Sequence, residues 1–474
     1  MSLGNFALMR HELLLTVAAL LILIAEIFRN PERGKSVNLF ALILFGIVTV
    51  AGFLPSPKGV LFGGMYEVDN VRLIMKNILN TGVLLILIQS VTWLQKDENR
   101  DKTNEYYLLV ISTLIGMEFM ISAGHFIMFY LGLELATIPI AALAAYDRFN
   151  NKSAEAGIKL ILISALSSGT LLYGISMIYG TTGTLYFHEI GQVFTGKSGL
   201  EVLGFIFFFA GMAFKISIVP FHLWTADVYE GSPINVTSYL SVISKGAALF
   251  IFVIVLFTVF PVIVKTWNRA IYVTSILTMT IGNLFAIRQH NLKRFLAFSS
   301  ISQAGYILLG IIGGGQTGMA SVVYYILIYI FSNLAAFGVV AAISNSTGKE
   351  NIEDYNGLYQ TNPGLSLVMM LAMFSLAGIP PVAGFFGKFF LFAAAAEKGF
   401  YLLVTIAVLN TIMSLYYYLL VVKAMFINKS DTPVERFRSD FPTKLALGAC
   451  VAGIFVTGFI GIIFEVIKRF SFGI

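Results

Sequence analysis

Apolar runs long enough to cross a bilayer follow one another along almost the whole chain. A helix needs about 20 residues to do so. Fourteen segments qualify, near 11–29, 36–54, 73–94, 105–122, 124–146, 153–180, 200–225, 232–260, 267–287, 293–313, 319–343, 363–397, 399–427 and 441–469. In hydrocarbon every backbone N–H and C=O must find a partner inside the protein, which helices provide segment by segment. A strand barrel would read as short alternating segments, and the sequence does not read that way. Composition agrees: 57% of residues are hydrophobic and 12% charged, against roughly 25% charged in a soluble domain. The chain is therefore expected to be all-α, a polytopic membrane protein with about 14 transmembrane helices. Arg10 before the first run faintly suggests a signal peptide. That run continues to Phe28, carries Glu26 and lacks a small-residue cleavage pattern, so a retained first helix is expected.

The connections are too short for a soluble domain; the largest are 55–72, 181–199, 344–362 and 428–440. Segment 66–76 is expected to lie in the interface before the third helix enters. Loop charge sets orientation. Connections after odd-numbered spans hold 16 Lys and Arg, among them Arg29, Arg33, Lys35, Arg148, Lys293 and Arg294; the opposite side holds 10, Lys76 included. This bias is expected to put both termini outside. The net charge of +6 is loop charge of this kind, not a nucleic-acid footprint. A single cysteine, Cys450, leaves no internal disulfide and too few thiolates for an iron–sulfur cluster.

Two spans are interrupted. The seventh breaks around Pro220 and the twelfth at Pro380-Pro381. Proline frees carbonyls and unwinds a turn, tolerated at membrane depth only against protein or water. Paired interruptions in matching positions point to an ion site between repeats. They stand five helices apart, an odd number, so two inverted five-helix repeats are expected, helices 4–8 and 9–13, with discontinuous helices 7 and 12. The resulting divisions are 1–104, 105–260, 261–427 and a C-terminal 428–474.

Five lysines fall within the spans: Lys159, Lys215, Lys245, Lys388 and Lys423. A charge at the bilayer centre costs about 2.5–3.5 kcal/mol on insertion scales and usually marks an ion or proton path. A desolvated lysine holds its proton less tightly and can release it at working pH, so several in a row make a relay. The bland alternative is snorkelling to an interface, expected for Lys423 near the end of its helix; Lys245 and Lys388 lie deeper. Glu134 is mid-span on the fifth helix, five residues before Pro139, with no other Asp, Glu, Lys or Arg within ten residues. Lys215 is its natural partner, and a static packing pair is the alternative, although such pairs stabilise poorly. His222 follows Pro220 and either bridges protons or serves as a hydrogen-bonded structural residue. His125, His188 and His290 read as interfacial or loop residues, and no spacing suggests a metal site. Gly313-Gly314-Gly315 reads as a turn. Ser299, Ser300 and Ser302 read mainly as partners of backbone carbonyls.

The stretches FKISIVPFHLWTADVYEGSPINVTSYLSVISKGAA (214–248), NLKRFLAFSSISQAGYILLG (291–310) and SLAGIPPVAGFFGKFFLF (375–392) resemble the antiporter-like membrane subunits of respiratory complex I, the bacterial NADH:quinone oxidoreductase. The resemblance covers essentially the whole chain. Within that family, Lys388 stands where the sibling subunit M is expected to carry glutamate, and the chain ends without the long lateral helix of subunit L. The resemblance implies a proton-translocating subunit of an enzyme complex, with no redox chemistry on this chain. FMN, iron–sulfur clusters and quinone would sit on partner subunits. The partners would be subunit M, the small subunits K and J, and lipid. It assigns Glu134 and Lys215 as a coupled pair, Lys245 as the central relay and Lys388 as the exit-side group. Ala226 and Ile234-Asn235 depart from positions where relatives commonly have proline. A multi-subunit cation/proton antiporter subunit, or a membrane scaffold without a proton path, are the alternatives.

Overall fold

The computed structural model describes residues 3–28, 34–430 and 433–471. Arg29 and Arg33, counted above toward orientation, lie outside the described residues, as does the Lys35 side chain. All fourteen expected spans appear as helices. Eleven are long and apolar enough to cross a membrane. The others are the second (Gly34–Gly52), the fourth (Thr103–Ile121, which carries Glu105 and Glu118) and the twelfth, made of two 15-residue helices. Short polar side chains start many of the spans by accepting from the orphan N–H groups of the first turn. Asp69 accepts from Arg72 N, Asn150 from Lys152 N, Ser198 from Leu200 N, Asn291 from Lys293 N and Arg294 N, and Asp440 from Thr443 N.

Two details differ from expectation. Segment 66–76 is not a single run ahead of the third helix: Tyr66–Val68 is a strand paired antiparallel with Gly59–Leu61, and the third span begins at Asn70. Lys76 therefore belongs to a helix and not to a connection; it is 1% exposed and ion-paired with Glu12 at 2.6 Å. The fourteenth span also divides, with Phe441–Phe459 followed by Ile462–Phe470.

The hairpin, the 122–125 connection and the helix Phe187–Val193 gather at one end of the bundle, tied by the Glu67 N–Ser122 O bond at 2.7 Å and the Tyr66–Ala123 bridge. This is called the hairpin end below.

The repeat is visible in the backbone. The sixth span (Asn151–Thr182) ends on Gly183 at φ +73°, and the eleventh (Gly315–Thr347) on Gly348 at φ +72°. Three residues later Tyr186 bridges His125, ahead of the fifth span, and Asn351 bridges Asn291, ahead of the tenth. The interrupted helices match as well. Gly199–Ile216 ends on Ser217 at φ +67°, with a cis Val219-Pro220 bond beyond; Pro363–Ala377 ends on Gly378 at φ +86°, with a cis Pro380-Pro381 bond beyond. In each break the next N–H reaches back to the same relative carbonyl, Ile218 to Ala213 and Ile379 to Phe374.

Burial is uneven. The tenth span is buried apart from Arg294 near its start and the eighth and eleventh nearly so, while the sixth and thirteenth present apolar side chains such as Leu162, Leu166, Leu409 and Ile412 outward. The two breaks thus flank an interior that is shielded on all sides.

Candidate functional site

Lys245 sits in that interior, 3% exposed, on the eighth span. The five residues before it, Leu240–Ser244, form a π-helical turn, a local widening that recurs at functional sites. Its ammonium donates to the Ser300 hydroxyl at 2.6 Å and lies 5.7 Å from the centre of the Tyr229 ring. Among the described residues no carboxylate pairs with it.

Lys388 is likewise 3% exposed. It reaches back across the break of its own span, donating to the Ala377 carbonyl at 3.0 Å, one of those freed by the interruption, and lies over the Tyr306 ring at 4.6 Å. No carboxylate pairs with it either, among the described residues.

Polar side chains occupy the wall between these two lysines. Ser299 shares a hydrogen bond with the Tyr418 hydroxyl, Gln303 donates to the same hydroxyl at 3.1 Å, and Tyr325 donates to Gln303. Tyr325 stacks with Tyr329, whose hydroxyl bonds Ser241 at 3.1 Å. The serines of the tenth span thus do more than bond carbonyls: Ser300 and Ser299 face side chains, and only Ser302 turns to a backbone oxygen, that of Ser299. Sequence reasoning singled out Ser300 but expected a backbone carbonyl as its partner, and it missed Gln303 and Tyr418. The signal available was hydroxyl and amide side chains one turn apart on a helix with no outward face.

Lys215 and Glu134 are brought near each other without an ion pair of 4 Å or less. Lys215 is half-buried and donates to Thr137 at 2.7 Å, one turn along from Glu134. Glu134 lies against Tyr130, and its Oε1 is buried with no hydrogen-bond partner. Its charge still reaches the lysine. The arrangement is a pair held open, with the ammonium bonded instead to the Thr137 hydroxyl, which itself donates to the Leu133 carbonyl.

His222 is 6% exposed in the seventh-span break, and its Nδ1 has no partner. Lys159 is part of an ion-pair cluster at the far end from the hairpin. It bridges Glu155 at 2.6 Å and Asp227 at 2.9 Å; Arg294 bridges Asp227 at 2.7 Å and Glu230 at 3.0 Å; Lys152 bridges Glu230 at 3.2 Å. Asp227 and Glu230 stand at the end of the half-helix Leu223–Gly231, past the membrane-crossing part. Burial alone would raise the pKa of each, but the facing cations outweigh it and hold both below their ordinary values. Lys423 is exposed near the end of its helix.

At this same end a polar cleft of about 160 Å³ is lined by Asp147, Asn150, Ser232, Asn235, Lys293 and Glu350, among others. Burial, with Glu98 nearby, pushes the Asp147 pKa up. The cleft floor at Ser232–Asn235 opens the helix that leads to Lys245.

Among the described residues no group of three or more His, Cys, Asp or Glu could hold a metal ion, and Cys450 is fully buried.

The chain was compared with known proteins. Residues 123–414 match the family model described as NADH:quinone oxidoreductase/Mrp antiporter, TM. NADH-quinone oxidoreductase subunit N of Phocaeicola vulgatus is 53% identical over 97% of both chains, and that of Rhodospirillum rubrum 38% identical over 94% of this chain and 92% of its own. Among solved structures, a chain of respiratory complex I from Thermus thermophilus with bound Aureothin superposes with a TM-score of 0.80 at 29% identity, covering 96% of this chain and 98% of its own. A chain of the Mrp complex from Dietzia sp. DQ12-45-1b superposes with a TM-score of 0.85 at 21% identity, covering 99% of this chain and 97% of its own, a likeness of fold alone.

Proposed function

The chain belongs to the antiporter-like membrane subunits of NADH:quinone oxidoreductase, on the subunit N branch, and from that premise we propose that it carries protons across the membrane through Lys215, Lys245 and Lys388. The observation that carries the proposal is the isolation of Lys245. A scaffold that used its buried charges for packing would pair them, as the chain does for Lys76 with Glu12 at 2.6 Å. Lys245 and Lys388 are as deeply buried yet face only hydroxyls, a carbonyl and aromatic rings. An unpaired buried ammonium costs several kcal/mol. A group that must load and unload a proton requires such a setting, because a fixed counter-charge would lock it.

The steps follow from the geometry. The polar cleft at the Asp227 end admits water to the junction of the seventh and eighth spans, the cytoplasmic side on the loop-charge reading. Lys245 takes up a proton, with Ser300 accepting from the charged form. The hydroxyl and amide wall formed by Ser299, Gln303, Tyr418 and Tyr325 connects toward Lys388, which releases the proton on the hairpin side. Glu134 supplies the drive. At 4 Å and an effective dielectric near 20, a carboxylate and an ammonium attract by about 4 kcal/mol. Raising a proton against the membrane potential costs about 2.3 kcal/mol per 100 mV. Closing and reopening the Glu134–Lys215 pair across Thr137 is therefore large enough to alternate the proton occupancy of the row. His222, in the break with a free ring nitrogen, is placed to pass a proton between water and Lys215. Quinone reduction on partner subunits drives the cycle, and the outward apolar faces of the outer spans meet lipid and the neighbouring membrane subunits M, K and J. FMN and the iron–sulfur clusters belong to those partner polypeptides.

The test is NADH-driven proton pumping in vesicles carrying Lys245→Ala, with assembly checked on a native gel. Loss of pumping in an assembled complex is expected. Normal pumping would refute the relay and return the chain to a scaffold role.

A further inference from the structure

The inner faces of the first, third and fourth spans hold titratable side chains that the relay does not use. Lys76 donates to Glu12 Oε1 at 2.6 Å and to the Tyr66 hydroxyl at 2.9 Å, and Tyr66 donates to the same oxygen at 2.8 Å. Glu118 of the fourth span is fully buried, and its charge is felt by both Lys76 and Glu12. Neither Glu118 oxygen has a hydrogen-bond partner, nor does Glu12 Oε2; the Asn80 amide faces Glu118 without closing a bond. His11 and Arg10 flank the group on the first span.

Two carboxylates facing one ammonium leave a negative charge in excess, and a buried anion without partners is strongly penalised. The static pair of Lys76 and Glu12 would be complete without Glu118. A second carboxyl, fully buried and without partners, is therefore costly as packing unless it holds a proton, since a buried carboxylate that nothing compensates does not stay ionised.

The cluster has access in two directions. Toward the hairpin end, Arg72 lies one turn before Lys76 and pairs with Glu67 at 2.9 Å; both line a cleft of about 420 Å³ together with Asp69, His188 and Glu189. Toward the interior, Tyr239 of the eighth span, six residues before Lys245, bonds Thr113 at 2.5 Å and reaches Met117 Sδ at 3.9 Å, and Glu118 acts on it electrostatically.

We propose that Glu12, Lys76 and Glu118 form a second buried proton store, in which the unpartnered Glu118 carboxyl takes up and gives off a proton beside the ion pair of Glu12 and Lys76, standing between the eighth span and the hairpin-end cleft. The exchange is proton transfer alone. When the store empties, the Glu118 O–H bond breaks as an O–H bond forms on a water molecule; the cluster gains one negative charge and no electrons move. The store stands on its own geometry and not on the assignment of the four-residue relay.

The test is made on the assembled complex with Glu118→Gln and, separately, the charge-conserving double variant Glu12→Gln/Lys76→Met, which keeps the proposal testable should the first not assemble. Infrared difference spectra on reduction by NADH are recorded beside proton pumping, with Lys245→Ala as the reference. The expected result is a protonated-carboxyl band in the wild type that Glu118→Gln lacks, with most pumping lost in both assembled variants. A band retained in Glu118→Gln would overturn the proposal. So would a lost band with normal pumping, which reads as a neutral acid that merely packs. Normal pumping in these variants with none in Lys245→Ala would overturn the store and leave the relay standing. Pumping lost in these variants but kept in Lys245→Ala would support the store and overturn the relay.

Discussion

Removing the hydroxyl of Ser300 tests the relay at its narrowest point. Ser300 accepts from the Lys245 ammonium at 2.6 Å, in a position with no carboxylate partner among the described residues. A hydrogen bond to a charged group contributes about 1.5–3 kcal/mol. Ser300→Ala removes it from the loaded state of Lys245 and leaves the unloaded amine nearly untouched. At 1.36 kcal/mol per factor of ten, the loaded population falls roughly 10- to 150-fold. Pumping limited by loading falls with it. The assay is NADH-driven acidification of inverted vesicles, normalised to assembled complex. Ser300→Thr, which keeps an acceptor in place, should recover most of the loss. Ser302→Ala supplies the control, because that hydroxyl donates only to the Ser299 carbonyl one turn back on the same helix, and pumping should be unchanged. Ser300→Ala pumping within about twofold of wild type would show that Lys245 does not load against this hydroxyl.

Gly378→Ala places a side chain on a residue at φ +86° and sets the new Cβ 3.1 Å from Lys388 Cδ. The backbone term costs about 1–2 kcal/mol. Gly399→Ala imposes the same strain at φ +82° in open space, so pumping should fall in the first variant and persist in the second; equal effects would sink the claim that Lys388 is positioned by its break. Asp227→Asn removes the bridges to Lys159 and Arg294. Because Asp227 is held below its ordinary value in the folded chain, its contribution is fully present above the unfolded-state value and lost as pH falls through the folded one. Wild-type and Asp227→Asn melting temperatures should therefore differ most above the ordinary aspartate value of about 4 and converge only as the pH falls through the lower folded-state value. A gap that does not vary with pH would argue against the charged cluster.

The sequence made the scaffold readable because each span announces itself by an apolar run and each break by proline. Pro220 and Pro380-Pro381 marked the interruptions, and the deep lysines stood out against them. Partners were harder to see. Ser300 looks like any helical serine until the tenth span is known to have no outward face. Lys76 sits among Glu67, Asp69 and Arg72 and so reads as loop charge; that it turns inward depends on the hairpin Gly59–Val68 ending where it does. The expected pair of Glu134 and Lys215 is approximate for the same reason. Span positions bring the two together, but the rotamers that hand the ammonium to Thr137 are set by packing.

The two breaks match in backbone but not in the charges around them. Ser217 and Pro220 correspond to Gly378 and Pro381, which carries Asp227 onto Lys388 and Lys215 onto Leu376. The interrupted spans run in opposite directions, yet their lysines fall before the break in one and after it in the other, so both lie on the hairpin side of their breaks. An inverted pair of identical halves would conduct equally well in either direction. Here the backbone supplies the mirror and the side chains spoil it: an acid stands opposite a base at one corresponding position and a lysine opposite a leucine at another, so that a proton path through such a frame would not be the same in both directions.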